Sequence, residues 1–149
     1  DDSPYRAMVE SLEIGDRVHF HGGQPKDRAF ALVKRADVFV FTSLQDMMGQ
    51  TLSEAMQLGM PVVAMDWSGP SELIGDTGGR RVPVSTPELT SAALANALAD
   101  LLRDPAQLEA MGAAAKDRIE HLVDETRADR ERDKVFARAV SRQRSWRRR

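Results

Sequence analysis

Two kinds of apolar pattern alternate along the chain. In PYRAMVESLE, residues 4–13, Tyr5, Met8, Val9 and Leu12 recur at near-helical spacing, with Pro4 suited to a first turn and Gly15 beyond the end. Arg17–Phe20 (RVHF) predicts a short strand, broken by HGGQP. Lys26–Arg35 predicts a second helix with Phe30, Leu32 and Val33 inward. Asp37–Phe41 (DVFVF) and Pro61–Met65 (PVVAM) are of the other kind. They are continuously apolar rather than alternating, as strands of a parallel sheet buried on both faces are. Between them, Thr51–Leu58 predicts a helix stopped by Gly59. A loop rich in Gly and Ser follows Met65, then a short helix near Ser71–Ile74, and Gly78 and Gly79 turn the chain into a weaker strand, Arg81–Val84.

From Pro87 the pattern is helical. Leu89, Ala93, Leu94, Ala97, Leu98, Leu101 and Leu102 mark a long amphipathic helix. Asp104 and Pro105, a cap followed by a first-turn proline, open another that runs through Leu108, Met111, Ala115 and Ile119. Beyond Asp124 the chain is highly charged, with Val135, Phe136 and Val140 as apolar anchors. Alternating strands and helices predict an α/β fold: a Rossmann-like parallel sheet of about four strands flanked by helices, with right-handed crossovers. The reading divides the chain into a domain over residues 1–122 and a charged helix with a basic tail over 123–149. Four strands fall short of the roughly five or six of a complete doubly wound domain.

Composition narrows the chemistry. Cysteine is absent from the 149 residues, which excludes disulfides, thiolate metal sites and a catalytic thiol. No apolar run approaches the roughly 18 residues of a membrane span. The opening DDSPYRAMVE lacks the regions of a signal peptide, which makes the cytoplasm the default compartment, and the missing initiator Met suggests a start inside a longer chain. The net charge is -2, yet the last eight residues, RQRSWRRR, carry five Arg and no acid. A mildly acidic body with a basic tail argues against nucleic acid as a partner. The tail reads first as a solvated terminus, and second as a contact with anionic lipid headgroups that would set the protein against the inner face of the membrane.

In an open parallel sheet ligands bind outside the carboxyl ends of the strands. Three segments stand there: His21–Pro25, Thr42–Thr51 and Asp66–Glu72, all rich in Gly, Ser, Thr and acid. In the middle one Gly49 precedes a helix that begins near Gln50 and Thr51, and a helix start offers N–H groups and a positive dipole end to phosphate. Neither GxGxxG nor GxxxxGK[ST] is present, and the absence of GxSxG removes a serine-hydrolase reading. Asp46 in the loop and Glu54 on the helix are eight residues apart and could face one pocket, where carboxylates accept hydrogen bonds from vicinal hydroxyls. His19 and His21 have no evident third partner for a metal, and Trp67 is a candidate for stacking on a sugar or base.

The stretch FTSLQDMMGQTLSEAMQLGMPVVAM, from Phe41 to Met65, resembles the signature of glycosyltransferase family 4, the retaining nucleotide-sugar transferases of the GT-B fold. Ser43, Glu54-Ala55-Met56 and Gly59-x-Pro61-Val62-Val63 fit its pattern, as do Gly69-Pro70-Ser71-Glu72-Leu73-Ile74, Gly79 with the following strand, and Arg17-Val18-His19-Phe20-His21-Gly22 upstream. The resemblance implies that Asp46, at the first acidic position of the E-x7-E pair, is the catalytic-site acid touching donor-sugar hydroxyls, and that Glu54 binds the ribose. It places the backbone of Met48, Gly49, Gln50 and Thr51 near sugar and diphosphate, Ser43 beside them, and Gly22 and Gly23 near the base. The co-substrate would be a nucleotide-diphosphate sugar, with no other cofactor and no metal. A hexosyl group would pass with retention to a glycan or lipid-linked hydroxyl acceptor, in polysaccharide or cell-envelope glycan synthesis. The acceptor would be held by an N-terminal domain absent here, which makes this chain part of an enzyme rather than an enzyme alone. The alternative is a non-catalytic nucleotide-sugar-binding module or partner subunit. Asp46 departs from the family's Glu, and Met47-Met48 from its Gly-Phe. The family's first two strands, with their diphosphate-binding Arg and Lys, are missing, and the strand edge so exposed would favour self-association.

Overall fold

In the computed structural model, residues 3–46, 48–122 and 124 are described. The contacts divide the chain into two units, Asp1–Leu32 and Val33–Arg149. The first contains α1 (Ser3–Ser11) and the greater part of α2 (Lys26–Val33). A turn closes α1, with the Leu12 N–H donating to the Met8 carbonyl and Glu13 at a positive φ of 54°. Arg17–Phe20 is extended or turning and joins no ladder, against the expected strand. Only Val18 and Phe20 of that run are apolar, and the Phe20 ring is taken up by the Arg6 guanidinium, 4.5 Å from its centroid. α2 stops at Val33, two residues short of the sequence reading, because the Ala36 N–H turns back to the Val33 carbonyl.

The second unit is built on a parallel sheet of three strands, β1 (Phe39–Phe41), β2 (Val62–Met65) and β3 (Arg80–Val82), in the order β1-β2-β3. Among the described residues the sheet therefore has three strands, where about four were expected. Val40 lies opposite Val63, and Ala64 opposite Arg81. Pro83, which has no N–H to give a ladder, ends β3 before the expected Val84. The helices are α3 (Gln50–Gln57), α4 (Ser68–Ile74), α5 (Pro87–Leu102) and α6 (Pro105–Leu122).

The strands' side chains alternate between two apolar layers. Val62 and Ala64 pack with Phe41 of β1 and with Leu52, Ala55, Met56, Ile74, Ala115 and Ile119, from α3, α4 and α6. Val63 packs the other way with Val82, Ala97 and Leu101, beneath α5. β2 is thus buried on both faces, as its unbroken apolar run implies. β1 is not: Val40, on the α5 side, remains 39% exposed.

The caps explain where the helices stand. α3 ends in a Schellman motif, the Gly59 N–H on the Met56 carbonyl and the Met60 N–H on the Ala55 carbonyl, which needs the positive φ of 73° at Gly59. Thr86 caps α5 through the Leu89 N–H, and Asp104 caps α6 through the Gln107 N–H. Proline follows each cap, at 87 and 105.

Candidate functional site

The carboxyl ends of the three strands deliver the segments from Thr42 to Gly49, Asp66 to Trp67, and Pro83 to Thr86. The first is the most organised. The Ser43 hydroxyl accepts from the Asp46 N–H at 3.2 Å and the Gln45 N–H at 3.3 Å. One carboxylate oxygen of Asp46, Oδ1, then accepts from the Met48 N–H at 2.9 Å and the Gly49 N–H at 2.8 Å. Short polar side chains that fold back on their own backbone in this way define turns without any regular ladder.

Gly49 converts this loop into a helix. Its φ of 60° and ψ of 36° are left-handed, a conformation that costs a residue with a Cβ roughly 1–2 kcal/mol. The first bond of the helix runs from the Ser53 N–H to the Gly49 carbonyl at 2.8 Å. The N–H groups of Gln50, Thr51 and Leu52 precede that bond, the first-turn donors that a helix does not use itself. They stand where the helix dipole favours an anion. Fully buried Leu52 and Met56 fix the opposite side of α3 into the core, and Glu54, half-buried, lies between them in sequence.

Of the residues singled out from the sequence, Ser43, Asp46, Met48 and Gly49 are brought together by these bonds, and Gln50, Thr51 and Glu54 follow on α3. Gly22 and Gly23 belong to the first unit, where Gly22 has a φ of 61°. The Met48 side chain is 84% exposed, so only its backbone is held. Trp67, half exposed, precedes α4 without capping it through a side chain. The basic tail and Met47 lie outside the described residues.

Two features escaped sequence reading. After β2, Asp66 accepts a hydrogen bond from the Ser71 hydroxyl and lies 3.7 Å from Arg81, which also pairs with Asp76 at 2.9 Å. Second, Arg118 of α6 reaches the C-terminus of α4, donating through Nε to the Leu73 carbonyl and through Nη2 to the Glu72 carbonyl, each at 2.7 Å. These carbonyls are what a helix end leaves over. Gly75 and Gly78 make room for the arm, since a Cβ on Gly75 would fall 2.4 Å from the Arg118 Cζ. Nothing local in the sequence marks a contact that spans 45 residues.

On the α5 side of the same sheet end, Leu44, Met65, Val84, Ser85, Thr90 and Leu94 line a cavity of about 270 Å³. Among the described residues no cluster of three or more His, Asp or Glu could hold a metal ion, and no helix is long and apolar enough to cross a membrane.

A loop and helix start at the carboxyl end of a parallel strand suits a phosphate-bearing ligand. Residues 1–118 match the family model described as glycosyl transferases group 1. The chain belongs to this family. Over 124 residues it is 34% identical to the putative colanic acid biosynthesis glycosyltransferase WcaL of Escherichia coli K12, covering 78% of this chain and 30% of that protein. It is 31% identical to the sulfoquinovosyl transferase SQD2 of Arabidopsis thaliana, covering 80% of this chain and 23% of that one. Among solved structures, sucrose-phosphate synthase of Thermosynechococcus elongatus superposes with a TM-score of 0.75 at 26% identity, covering 93% of this chain and 34% of that chain. The fold is accordingly the α/β architecture of GT-B glycosyltransferases. The chain spans about 30% or less of the length of these two curated relatives.

Proposed function

We propose that this chain is the donor-binding part of a retaining glycosyltransferase that moves a sugar from a nucleotide diphosphate to a hydroxyl acceptor. The observation that carries the proposal is the entry to α3. A left-handed glycine at the end of a hydrogen-bonded loop aims the first-turn amides of a core-anchored helix out of the sheet's carboxyl edge. A family member has reason to keep such a feature, because breaking the anomeric C–O bond puts negative charge on the departing diphosphate. Oriented N–H donors stabilise that charge without reorganising. In this reading the exposed Gln50 and Thr51 present their amides to the diphosphate and Glu54 accepts from the ribose hydroxyls. No metal takes part. The acceptor hydroxyl is the nucleophile and is held by a part of the protein beyond this chain. The names of the relatives, one in colanic acid biosynthesis and one a sulfoquinovosyl transferase, support a role in making polysaccharide or other cell-envelope glycan. The Arg-rich end of the sequence supports a contact with anionic membrane on the cytoplasmic side.

Thermal unfolding of the chain with UDP, GDP, ADP, UDP-glucose and GDP-mannose tests the reading. A ligand at about 100 times its Kd adds roughly 2.7 kcal/mol. For a domain of this size that is a rise of several degrees. The expected result is a rise with one nucleotide family that disappears in Glu54→Ala. No rise with any of them, or a rise untouched by Glu54→Ala, contradicts it.

A further inference from the structure

One oxygen of the Asp46 carboxylate, Oδ1, is already occupied. A single oxygen accepts from the amides of the second and third residues onward, at 2.9 and 2.8 Å, and the residue's own N–H is tied to Ser43 at 3.2 Å. Gly49, the last amide it holds, supplies through its carbonyl the acceptor for the first helical bond of α3, from Ser53 at 2.8 Å. A continuous set of bonds therefore runs from Ser43 through Asp46 and Gly49 into the first turn of the helix that carries Glu54. That oxygen, shared by two backbone amides, has little left for a ligand hydroxyl. The two amides it holds are likewise withdrawn from any ligand.

We infer that Asp46 is a positioning residue for the donor, acting through the backbone that its Oδ1 holds. It ties Ser43 to Met48 and Gly49, and thereby leaves the amides of Gln50 and Thr51, not those of Met48 and Gly49, to meet the diphosphate. The role toward the donor rests on the function proposed above. The length of the side chain is the reason. From Asp, the acceptor oxygen reaches the amides two and three residues on in a compact turn, and Asn presents an oxygen at the same reach. Glu carries one more methylene and an additional torsion, so the turn loosens although the charge is kept. The charge itself is no help to the ligand, since a carboxylate at a helix start competes with an anion for the same positive end.

Charge and reach make opposite demands, and Asp46→Asn, Asp46→Glu and Asp46→Ala separate them. Amide exchange at Met48 and Gly49, followed by NMR without ligand, reads the bonds directly. Kd values for UDP, GDP and ADP, measured on the same four proteins, read their consequence. Asn is expected to hold both amides at the parent's exchange rate and to bind nucleotide as tightly as the parent or more tightly. Glu and Ala are expected to speed exchange by about tenfold, the effect of losing one typical hydrogen bond. Their nucleotide binding weakens to a similar degree. Retention by Glu with loss in Asn overturns the inference, because it would mean that the negative charge acts on the ligand. So does an unchanged exchange rate in Ala. If the parent binds no nucleotide while the Asn-over-Glu pattern of exchange holds, the donor reading fails, and the role toward the donor fails with it.

Discussion

Gly112 sits in the middle of α6, where helix propensity alone says that alanine is better by about 1 kcal/mol. Geometry says the reverse. A Cβ built on Gly112 would stand 2.3 Å from the Gly59 carbonyl oxygen, with the Gly59 carbon and the Pro61 Cδ each at 3.4 Å. That oxygen is backbone, and its residue is held at a positive φ of 73° by the Schellman end of α3. The contact must open by about 1 Å to reach ordinary separation, and overpacking of this kind costs roughly 1–3 kcal/mol. Net of the propensity gain, Gly112→Ala should lose up to about 2 kcal/mol. At about 2–4 °C per kcal/mol, Tm should fall by several degrees. Urea unfolding followed by far-ultraviolet circular dichroism is the assay, with an unchanged m-value as the sign that only stability has moved. Exposed Ala113, on the same helix, provides the control: Ala113→Gly should lose about 1 kcal/mol from propensity alone. If Gly112→Ala instead raised stability by the propensity amount, α6 would not approach the end of α3 as described. The packing that positions Glu54's helix would then be wrong.

Other substitutions probe other joints. Gly79→Ala would drive a Cβ to within 2.4 Å of the Val62 Cγ2 and 2.7 Å of the Val62 carbonyl oxygen, so the chain should lose more than 1 kcal/mol in the same urea assay (about 1–3). Arg118→Ala removes both bonds to the end of α4 and should cost about 1–2 kcal/mol, whereas Arg118→Lys, which cannot fork, recovers only part. Leu52→Ala, at a fully buried site on α3, should cost roughly 2–5 kcal/mol. The Glu88 carboxyl is held below its ordinary range by a hydrogen bond from its own backbone N–H and by the Thr86 hydroxyl. A carboxyl lowered in the folded state stabilises above its unfolded pKa, and that contribution is lost as pH falls through the folded value. The urea midpoints of the parent and Glu88→Gln should therefore differ at neutral pH and converge through the acid range.

How much of this was legible beforehand differs by element, for physical reasons. α5 and α6 were readable to within a few residues because cap, first-turn proline and apolar spacing agree: Thr86-Pro87 and Asp104-Pro105 each announce a start. β2 was readable because Val62, Val63 and Ala64 are buried on both faces. The same inference from DVFVF overreached: Val40 shows that an apolar run does not guarantee a partner on each side of the sheet. RVHF failed as a strand because alternating residues with one apolar side can equally well turn and stack, as Phe20 does beneath Arg6. The loop after β1 stood out by its composition and by the family resemblance, and it follows the carboxyl end of that strand. Its internal wiring was not legible, since a sequence shows that Asp46 is an acid but not that its oxygen faces its own amides. Arg118 was invisible for a related reason: its acceptors are carbonyls, which every residue has.

Donor binding at the entry to α3 is the central claim, and a nitrogen-15 NMR titration of the chain with UDP, GDP and ADP tests it most directly. Saturable shifts are expected for one nucleotide, largest at the amides of Gln50 and Thr51 and extending to Glu54, with Met48 and Gly49 moving less because Asp46 holds them. No saturable shifts with any nucleotide, or shifts centred elsewhere on the sheet, would contradict it.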